Sequence, residues 1–533
     1  LHGGAGTDTV TFPESNGDVT FNLGTTTSQT VDETSRTIVQ DGFENIIGSN
    51  YNDVLTGNSG NNVFKAGTGA VELYGEGGDD TFEMAWYDGI GTLRVSDTID
   101  GGAGQDTINY RWYTGSASTD WDNVTNVEVI NVTGGSATTI TAATTLCATG
   151  QSLAINASTL EDSFTFDGEN AAGALTITGS ANNDELIGGS GADTLHGGDG
   201  DDMLVGRQGI DDLWGDAGTD TVSYGSAGAV TANLLSGTVS NDGFGSSDTL
   251  HGIENLNGSA NFGDTITGGS GVNQIDTMGG DDSVSMGQYL TAADVVHGGT
   301  GTDTLTFTDA NLDTTDLDGV NGFEHIVLQG TDADIVAGNS LFTNVSSGSW
   351  NPMGSAIAVN GSQLSGTLTF DAHDVTNGYL YIKGSAGDDT ITGCNSYSVA
   401  GNNEYSNKLF GGVGEDTLTG ATNSSYADMF IYKTLAEAGD TITGFISTVD
   451  KFAFYGTGYG GEFQYNSTAA IAGHVFANSG LVSGIDACWY SDGTNLIYDS
   501  NGVNADGATV IASGVTTVAE ADIVIVNASH MGV

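Results

Sequence analysis

The sequence predicts an all-β protein whose chain winds as a solenoid of stacked parallel coils. Two observations predict this fold. Residues 179–223 are five nine-residue units in a row, and large apolar residues recur at fixed intervals through much of the chain. The five units read GSANNDELI, GGSGADTLH, GGDGDDMLV, GRQGIDDLW and GDAGTDTVS. Each follows the pattern G-G-x-G-x-D-x-U-x, in which U is a large apolar residue, and tandem nonapeptides of this kind are typical of parallel β-helices.

Each nonapeptide divides into a turn and a short strand. Glycine adopts positive φ without strain, so the G-G-x-G part is expected to turn tightly and to direct main-chain carbonyl groups inward, beside the aspartate at the sixth position. The last three residues, x-U-x, are expected to form a strand whose single apolar side chain enters the core. No segment of the sequence shows a sustained helical period.

The sixth-position aspartates predict a metal. Stacked turns place equivalent aspartates about 4.8 Å apart, which is the spacing between strands. Two carboxylates at that distance repel each other by ~1 kcal/mol in water, and by several times more in a medium of low dielectric constant. A column of them therefore requires a cation. Carboxylate and carbonyl oxygens, without histidine or cysteine, are the ligands of a hard ion such as Ca²⁺.

The candidate calcium ligands are these aspartates. Those in close matches to the pattern are Asp8, Asp80, Asp106, Asp184, Asp193, Asp202, Asp211, Asp220, Asp303, Asp389 and Asp416. Degraded units supply three more, Asp53, Asp264 and Asp282. Asparagine replaces the aspartate at Asn62 and Asn273, where we expect weaker calcium binding or none.

Composition excludes several classes of protein. The chain has 533 residues, with 68 acidic and 9 basic side chains, which gives a formal charge of −59. A nucleic-acid-binding protein needs a basic surface, and an anionic membrane attracts basic segments, so neither partner is expected. No apolar run approaches the roughly 20 residues of a membrane span. Repulsion between the acidic side chains opposes folding, whereas the regularly spaced apolar residues, within an apolar content of 38%, favour it. We therefore expect the chain to be disordered without calcium and folded with it.

The cysteines, histidines and aromatic pairs suggest no further metal site. Three cysteines, far apart and without a CxxC pair, favour buried free thiols over disulfides or zinc. Histidines at unit boundaries have no partner at a zinc spacing and are expected to face outward. The aromatic pairs Trp86–Tyr87 and Trp112–Tyr113 are expected to pack between coils or chains, and stacking on the sugar rings of a cell-surface glycan is the alternative.

The nonapeptides themselves belong to a longer repeat of the sequence. GFENI (42–46) corresponds to GIENL (252–256) and DVLTGNSGNN (53–62) to DTITGGSGVN (264–273), and nine such pairs of blocks occur in the same order at offsets of about 196 to 214 residues. We infer a tandem duplication, with copies at residues 1–214 and 215–430 and a separate tail at 431–533.

Each copy contains a stretch without regular turns, at about 111–178 and 308–383. Both are rich in Thr, Val and Ile with strand-like alternation, so we expect metal-poor coils of the same solenoid. Two inserted β-sandwich domains are the alternative. A solenoid buries each coil only against its neighbours and needs a cap at its end, which is the role expected of the β-rich tail.

The tandem nonapeptides resemble the RTX, or hemolysin-type calcium-binding repeat, family of secreted bacterial proteins. The resemblance implies a right-handed parallel β-roll with two nonapeptides per coil and several Ca²⁺ ions held between successive turns. The blocks DTITGFISTVDKFAF (440–454), WYSDGTNLIYDSNG (489–502) and ADIVIV (521–526) resemble the C-terminal export region of RTX proteins secreted by the type I route. The interleaved Thr/Val/Ile blocks resemble those of RTX-type S-layer proteins.

The sequence favours a structural role over a catalytic one. It contains neither HExxH nor GxSxG, and we predict no catalytic residue. We expect a secreted, extracellular or cell-surface protein that builds a surface layer, sheath, filament or adhesin stalk. Such a protein would associate with itself into arrays or fibres, bridged by calcium. The alternatives are a calcium-dependent binding module for glycans, or the C-terminal part of a secreted protease or lipase whose catalytic domain lies upstream of Leu1.

Overall fold

The computed structural model confirms the predicted all-β solenoid. It describes residues 1–12, 15–31, 37–39, 41–65, 67–84, 93–112, 121–308, 311–312, 315–345, 356–395, 407–421, 427–446, 449–455, 476–477, 488–491, 495–499, 508–515 and 523–526. Within these residues there is no α-helix, and the only helical turns are two short 3₁₀ segments. The chain forms two compact units, Leu1–Asn257 and Gly258–Val533.

Unit 1 is a stack of short strands in two parallel faces. Face A runs through β1, β5, β7, β9, β11, β13, β15, β17, β19, β21 and β25. Face B consists of one stack through β2, β6, β8, β10 and β12 and another through β14, β16, β18, β20, β22 and β26. The strands are β1 Thr9–Thr11, β2 Thr20–Asn22, β3 Gln29–Thr30, β4 Thr37–Ile38, β5 Asn45–Ile47, β6 Asp53–Asn58, β7 Val63–Lys65, β8 Val71–Glu76, β9 Thr81–Met84, β10 Thr98–Asp100, β11 Thr107–Trp112, β12 Val124–Thr125, β13 Val129–Gly134, β14 Thr138–Thr141, β15 Ser152–Leu160, β16 Phe164–Asp167, β17 Ala174–Thr178, β18 Glu185–Ile187, β19 Thr194–Asp199, β20 Met203–Val205, β21 Asp212–Ala217, β22 Thr221–Ser223, β23 Thr231–Asn233, β24 Thr238–Asn241, β25 Asp248–His251 and β26 Asn255–Asn257.

Unit 2 repeats this arrangement. Its face A runs through β27, β29, β31, β34, β36, β38, β40, β42, β44 and β49. Its face B contains β28, β30 and β33, and then a second stack from β32 through β35, β37, β39, β41 and β43 to β48. The elements are β27 Thr265–Thr267, β28 Gln274–Asp276, β29 Ser283–Gly287, β30 Val295–His297, β31 Thr304–Phe307, β32 Asn311–Leu312, β33 Val320–Asn321, β34 His325–Gly330, β35 Ala333–Val336, η1 Asn339–Phe342, β36 Ala356–Leu364, β37 Leu368–Asp371, β38 Tyr379–Lys383, β39 Thr390–Thr392, β40 Asn407–Phe410, β41 Thr417–Thr419, β42 Asp428–Tyr432, η2 Leu435–Glu437, β43 Asp440–Thr443, β44 Lys451–Tyr455, β45 Phe476–Ala477, β46 Cys488–Ser491, β47 Asn495–Asp499, β48 Ala508–Ser513 and β49 Ile523–Val526.

Antiparallel pairing is confined to a few places among the described strands. The hairpin β23–β24 joins β25 in unit 1, β3 pairs with β4, and β46, β47 and β48 form an antiparallel set in the tail. The described strands of the turn-poor stretches, such as β15 and β36, pair in parallel within face A, beside the nonapeptide strands. These stretches therefore share the sheets of the solenoid.

The core of the nonapeptide coils consists of apolar ladders, with one apolar residue from each three-residue strand. In face B of unit 1, Leu186, Leu204, Val222 and Leu256 lie in register on successive strands and are fully buried. The x-U-x pattern produces this because alternate side chains of a strand point to opposite faces of its sheet. Burial of each such side chain contributes about 1.5–3 kcal/mol, so stacking of coils supplies the apolar stability.

We expect Leu204→Ala to destabilise the calcium-loaded protein by about 2–5 kcal/mol, because it leaves a cavity between two ladder neighbours. Met203 is the matched control, since it lies on the same strand with 39% of its surface exposed. Urea unfolding at saturating calcium measures both variants. Equal losses for Leu204→Ala and Met203→Ala would contradict the ladder as the source of stability.

Candidate metal sites

The structure brings the sixth-position aspartates into columns through one repeated hydrogen bond. The main-chain N–H of Asp184 donates to Oδ1 of Asp202 at 2.7 Å, and that of Asp202 donates to Oδ1 of Asp220 at 2.9 Å. On the opposite turn of the same coils, the N–H of Asp193 donates to Oδ1 of Asp211 at 2.8 Å. Each coil thus carries a turn at either end, and each turn adds one carboxylate to its column.

The same bond recurs along both units. In unit 1, Asp80 donates to Asp106 at 2.8 Å. In unit 2 the column bonds, each from a main-chain N–H to Oδ1, are Asp264 to Asp282 at 2.7 Å, Asp282 to Asp303 at 2.8 Å and Asp389 to Asp416 at 2.8 Å.

The predicted aspartates are buried to a degree that is rare for charged side chains. Thirteen of the fourteen are at most 4% exposed, and Asp8 is half-buried. In nine of them Oδ2 is inaccessible to solvent and has no hydrogen-bond partner among the residues that the structure describes. These nine are Asp8, Asp80, Asp106, Asp202, Asp211, Asp220, Asp282, Asp303 and Asp416. A buried carboxylate oxygen without a partner is costly, and a cation at that oxygen removes the cost.

Main-chain carbonyl oxygens approach the same positions. A Cβ atom added at Gly197 would lie 2.2 Å from Oδ2 of Asp202 and 2.8 Å from the carbonyl oxygen of Gly215 in the next coil. The glycines at the second and fourth positions of this unit, Gly198 and Gly200, have φ of 116° and 118°, which only glycine adopts freely. The G-G-x-G turn therefore gathers carboxylate and carbonyl oxygens in a cradle that a side chain would fill.

This donor set fits Ca²⁺. Among the residues that the structure describes, no three His, Cys, Asp or Glu side chains converge on one point, so a site here combines fewer carboxylates with main-chain carbonyls. Ca²⁺ accepts six to eight such oxygens without strict geometry.

The carboxyl pKa values show the electrostatic cost of the columns in the absence of a cation. Burial, together with the smaller effect of the neighbouring carboxylates of Asp184 and Asp220, raises the pKa of Asp202 to about 7. Burial likewise raises the pKa of Asp211 and of Asp303 to about 8. At neutral pH the chain alone would hold these groups partly protonated.

Five predicted aspartates have both carboxylate oxygens hydrogen-bonded, and four of these pair with a serine that sequence reasoning missed. The hydroxyl of Ser49 donates to Oδ1 of Asp53 at 2.6 Å, and its N–H donates to Oδ2 at 2.6 Å. The other pairs are Ser180 with Asp184, Ser259 with Asp264 and Ser385 with Asp389. The signal was serine in place of the second glycine. In the fifth, Asp193, main-chain N–H groups of Leu175 and Gly189 supply the bonds at 2.8 and 2.7 Å.

The columns also contain carboxylates that no complete nonapeptide marks. Asp97 accepts the N–H of Val71 at 3.0 Å, Asp294 accepts that of Asn273 at 2.7 Å, and Asp440 accepts that of Asp416 at 3.1 Å. Asp248 continues the column of Asp211 at 3.1 Å, across the β23–β24 hairpin. These residues lack the preceding G-G-x-G, so only the strand that follows them could have revealed them.

The two copies inferred from the sequence differ in their columns. Asp53 and Asp80 lie 27 residues apart, and the strands that they lead, β6 and β9, belong to opposite faces. Their counterparts Asp264 and Asp282 lie 18 residues apart, and they share one column.

The other singled-out side chains lie outside the columns. Cys147 and Cys394 are buried and form no disulfide with each other. His196 and His251 stack on either side of Trp214 and contact Asp216 and Asp212 at 3.1 and 2.9 Å. Trp86, Tyr87, Tyr113 and the side chains of Trp112 and Cys488 lie outside the described residues.

Comparison with protein families gives one match, to the RTX calcium-binding nonapeptide repeat, which covers residues 40–70, 56–83, 96–111, 176–204, 196–227, 260–287, 291–307, 381–393 and 402–423. No curated protein matches the chain. Within the described residues, no helix has the length and apolar character needed to cross a membrane.

Proposed function

We propose that this chain, which carries the RTX calcium-binding nonapeptide repeat in several copies, is a calcium-folded structural protein of the extracellular space. Its role would be to form a surface layer, sheath, filament or adhesin stalk on a bacterial cell. RTX repeats are typical of secreted bacterial proteins. The observation that carries the proposal is the set of buried carboxylate oxygens without partners, which recur along the columns of both units.

The columns make folding conditional on a cation. Bound Ca²⁺ supplies the positive charge that the aligned carboxylates lack. The chain has a formal charge of −59, so in a cytosol poor in calcium the aspartate turns repel one another and the coils stay open. An open chain suits export through the type I route. Extracellular calcium-binding modules bind in the range of about 10⁻⁴–10⁻³ M, which matches the calcium outside cells.

Two features support a structural role rather than a catalytic one. The buried aspartates of both units belong mainly to the columns, and their hydrogen bonds run between coils. The solenoid also carries exposed acidic side chains beside the columns, such as Asp79, and these could bind calcium together with a neighbouring chain. We propose self-association into arrays or fibres bridged in this way.

Electron microscopy of the purified chain tests the assembly. We expect ordered arrays or fibres in millimolar calcium and their dissolution in EGTA, because calcium neutralises both the columns and the contacts between chains. Magnesium at the same concentration is the control, since Mg²⁺ demands near-ideal octahedral geometry and loses its water reluctantly. Particles that stay monomeric by light scattering at every calcium concentration would rule out the assembly role.

A further inference from the structure

Four glutamates occupy the ends of aspartate columns, where the lone Asp8 of the first coil is taken as a column of one. Inside a column the N–H of each aspartate donates to Oδ1 of the aspartate in the next coil. At the last aspartate the acceptor is instead Oε2 of a glutamate. The bonds are Asp8 to Glu44 at 2.7 Å, Asp106 to Glu128 at 2.8 Å, Asp220 to Glu254 at 3.0 Å and Asp303 to Glu324 at 2.7 Å. A glutamate thus takes the place of the next aspartate at all four ends.

The main chain before each glutamate is equally constant. The residue two positions before it has positive φ: 70° at Gly42, 51° at Asn126, 62° at Gly252 and 78° at Gly322. The last aspartate also accepts two main-chain N–H bonds at its carbonyl oxygen, as Asp220 does from Glu254 at 3.2 Å and Asn255 at 2.9 Å. Glycine and asparagine are the residues that tolerate this left-handed conformation best. The three-residue turn G/N-x-E is therefore a defined motif.

This short turn places a carbonyl oxygen where the longer turn does. A Cβ atom added at Gly215 would lie 2.3 Å from the carbonyl oxygen of Gly252. Inside the column, a Cβ atom at Gly179 would lie 2.1 Å from the carbonyl oxygen of Gly197. The same approach occurs at the other ends, at 1.8 Å for Gly3 and Gly42, 1.9 Å for Gly101 and Asn126, and 2.3 Å for Gly298 and Gly322. The three residues G/N-x-E thus present the carbonyl and carboxylate oxygens that a nonapeptide presents with the six residues G-G-x-G-x-D.

Each of these last aspartates has a carboxylate oxygen, Oδ2, without a hydrogen-bond partner among the described residues. Oδ2 of Asp106, Asp220 and Asp303 is buried and makes no hydrogen bond, and each of these residues is 0% exposed. A Cβ atom at Gly215 would lie 2.4 Å from Oδ2 of Asp220, beside the carbonyl oxygen of Gly252. Oδ2 of Asp8 is likewise buried without a partner.

We propose that each of the four glutamates closes a calcium site with the last aspartate of its column and with the carbonyl oxygen of the residue two positions before the glutamate. The motif G/N-x-E-x-I/L then ends a calcium column without a further nonapeptide. This inference rests on the proposed binding of calcium in the columns. The rival role is a glutamate that only accepts the N–H of the aspartate and binds no ion.

Replacement of Glu254 separates the two roles. Gln keeps an oxygen that can accept the N–H of Asp220 but loses the negative charge, whereas Ala loses both. We expect E254Q and E254A each to bind one Ca²⁺ fewer per chain than the parent, measured by equilibrium dialysis of the full chain and elemental analysis. Glu185, which is exposed on β18, supplies the control E185Q, and its calcium content should equal that of the parent.

An E254Q variant with the full calcium content would overturn the inference and leave glutamate as a hydrogen-bond acceptor. If E254Q does not fold, E44Q carries the same test, because Glu44 pairs with the half-buried Asp8 in the first coil. The variant D202N separates failure of the terminal sites from failure of calcium binding in the columns. Loss of calcium in D202N with none lost in the glutamate variants refutes the terminal sites alone, whereas no loss in D202N refutes calcium binding in the columns.

Discussion

We expect the protein to lose its β-sheet circular dichroism in excess EGTA at neutral pH and to regain it in millimolar calcium. Without calcium, folding must bury carboxylates that carry charge in water. Burial raises the pKa of Asp80 and Asp202 to about 7 and of Asp211 to about 8, well above the ordinary value of an aspartate. A change of one in a pKa corresponds to about 1.4 kcal/mol. Several such groups together oppose folding by on the order of 10 kcal/mol, which is comparable to the whole stability of a domain.

The pH dependence of the calcium-free chain checks the same mechanism. The folded-state pKa of these aspartates lies above the unfolded value, so between about pH 4 and the folded values the folded state binds more protons. Stability without calcium therefore falls as pH rises through this window, up to about 7 or 8 for Asp202 and Asp211. We expect acidification towards about pH 5 to recover part of the strand signal in EGTA, and calcium-loaded protein to show the opposite trend.

Far-UV circular dichroism in a matrix of pH and free calcium makes both measurements. Sodium chloride at equal ionic strength is the control for general screening, since salt weakens exposed repulsion but acts little on buried pairs. A strand signal that persists in EGTA at neutral pH would contradict calcium-dependent folding.

The second large effect is expected of Asp202→Asn. Asp202 is 2% exposed, its Oδ2 has no partner, and it interacts with the carboxylates of Asp184 and Asp220 on both sides. Asparagine keeps an oxygen that can accept the N–H of Asp184. It removes the negative charge that lies between the turn of Asp184 and the turn of Asp220. Loss of a residue that merely supports a metal ligand lowers affinity by about 10- to 100-fold, so we expect at least about a tenfold rise in the calcium concentration for half folding.

Asp201→Asn is the matched control, since Asp201 precedes Asp202 and is exposed. It removes the same charge from the chain but not from the column. Calcium titrations followed by circular dichroism compare the two variants. If they shift the midpoint equally, net charge and not column position determines the calcium requirement.

The sequence was sufficient to predict the stacked strands and the alignment of the sixth-position aspartates, whose role as calcium ligands stays a prediction. The nonapeptide pattern places Leu204 in a ladder and Asp202 in a column. Both residues contact the equivalent residue one coil away, and the nonapeptide repeats from coil to coil. The serine partners and terminal glutamates were missed because their role depends on which residue occupies the next coil. That separation is not constant: Asp211 meets Asp248 across 37 residues, since a hairpin intervenes.

The differing columns of the two copies have a consequence for how this sequence can change. Within an uninterrupted run of nonapeptides, two aspartates share a column when an even number of units separates them, as with Asp264 and Asp282, and they lie on opposite turns when the number is odd, as with Asp53 and Asp80. Gain or loss of a single unit therefore moves a turn to the other side of the solenoid, whereas a pair of units inserts or removes one complete coil and leaves the remaining columns in phase. Insertions and deletions therefore keep the columns in phase when they involve an even number of units, whatever their total length.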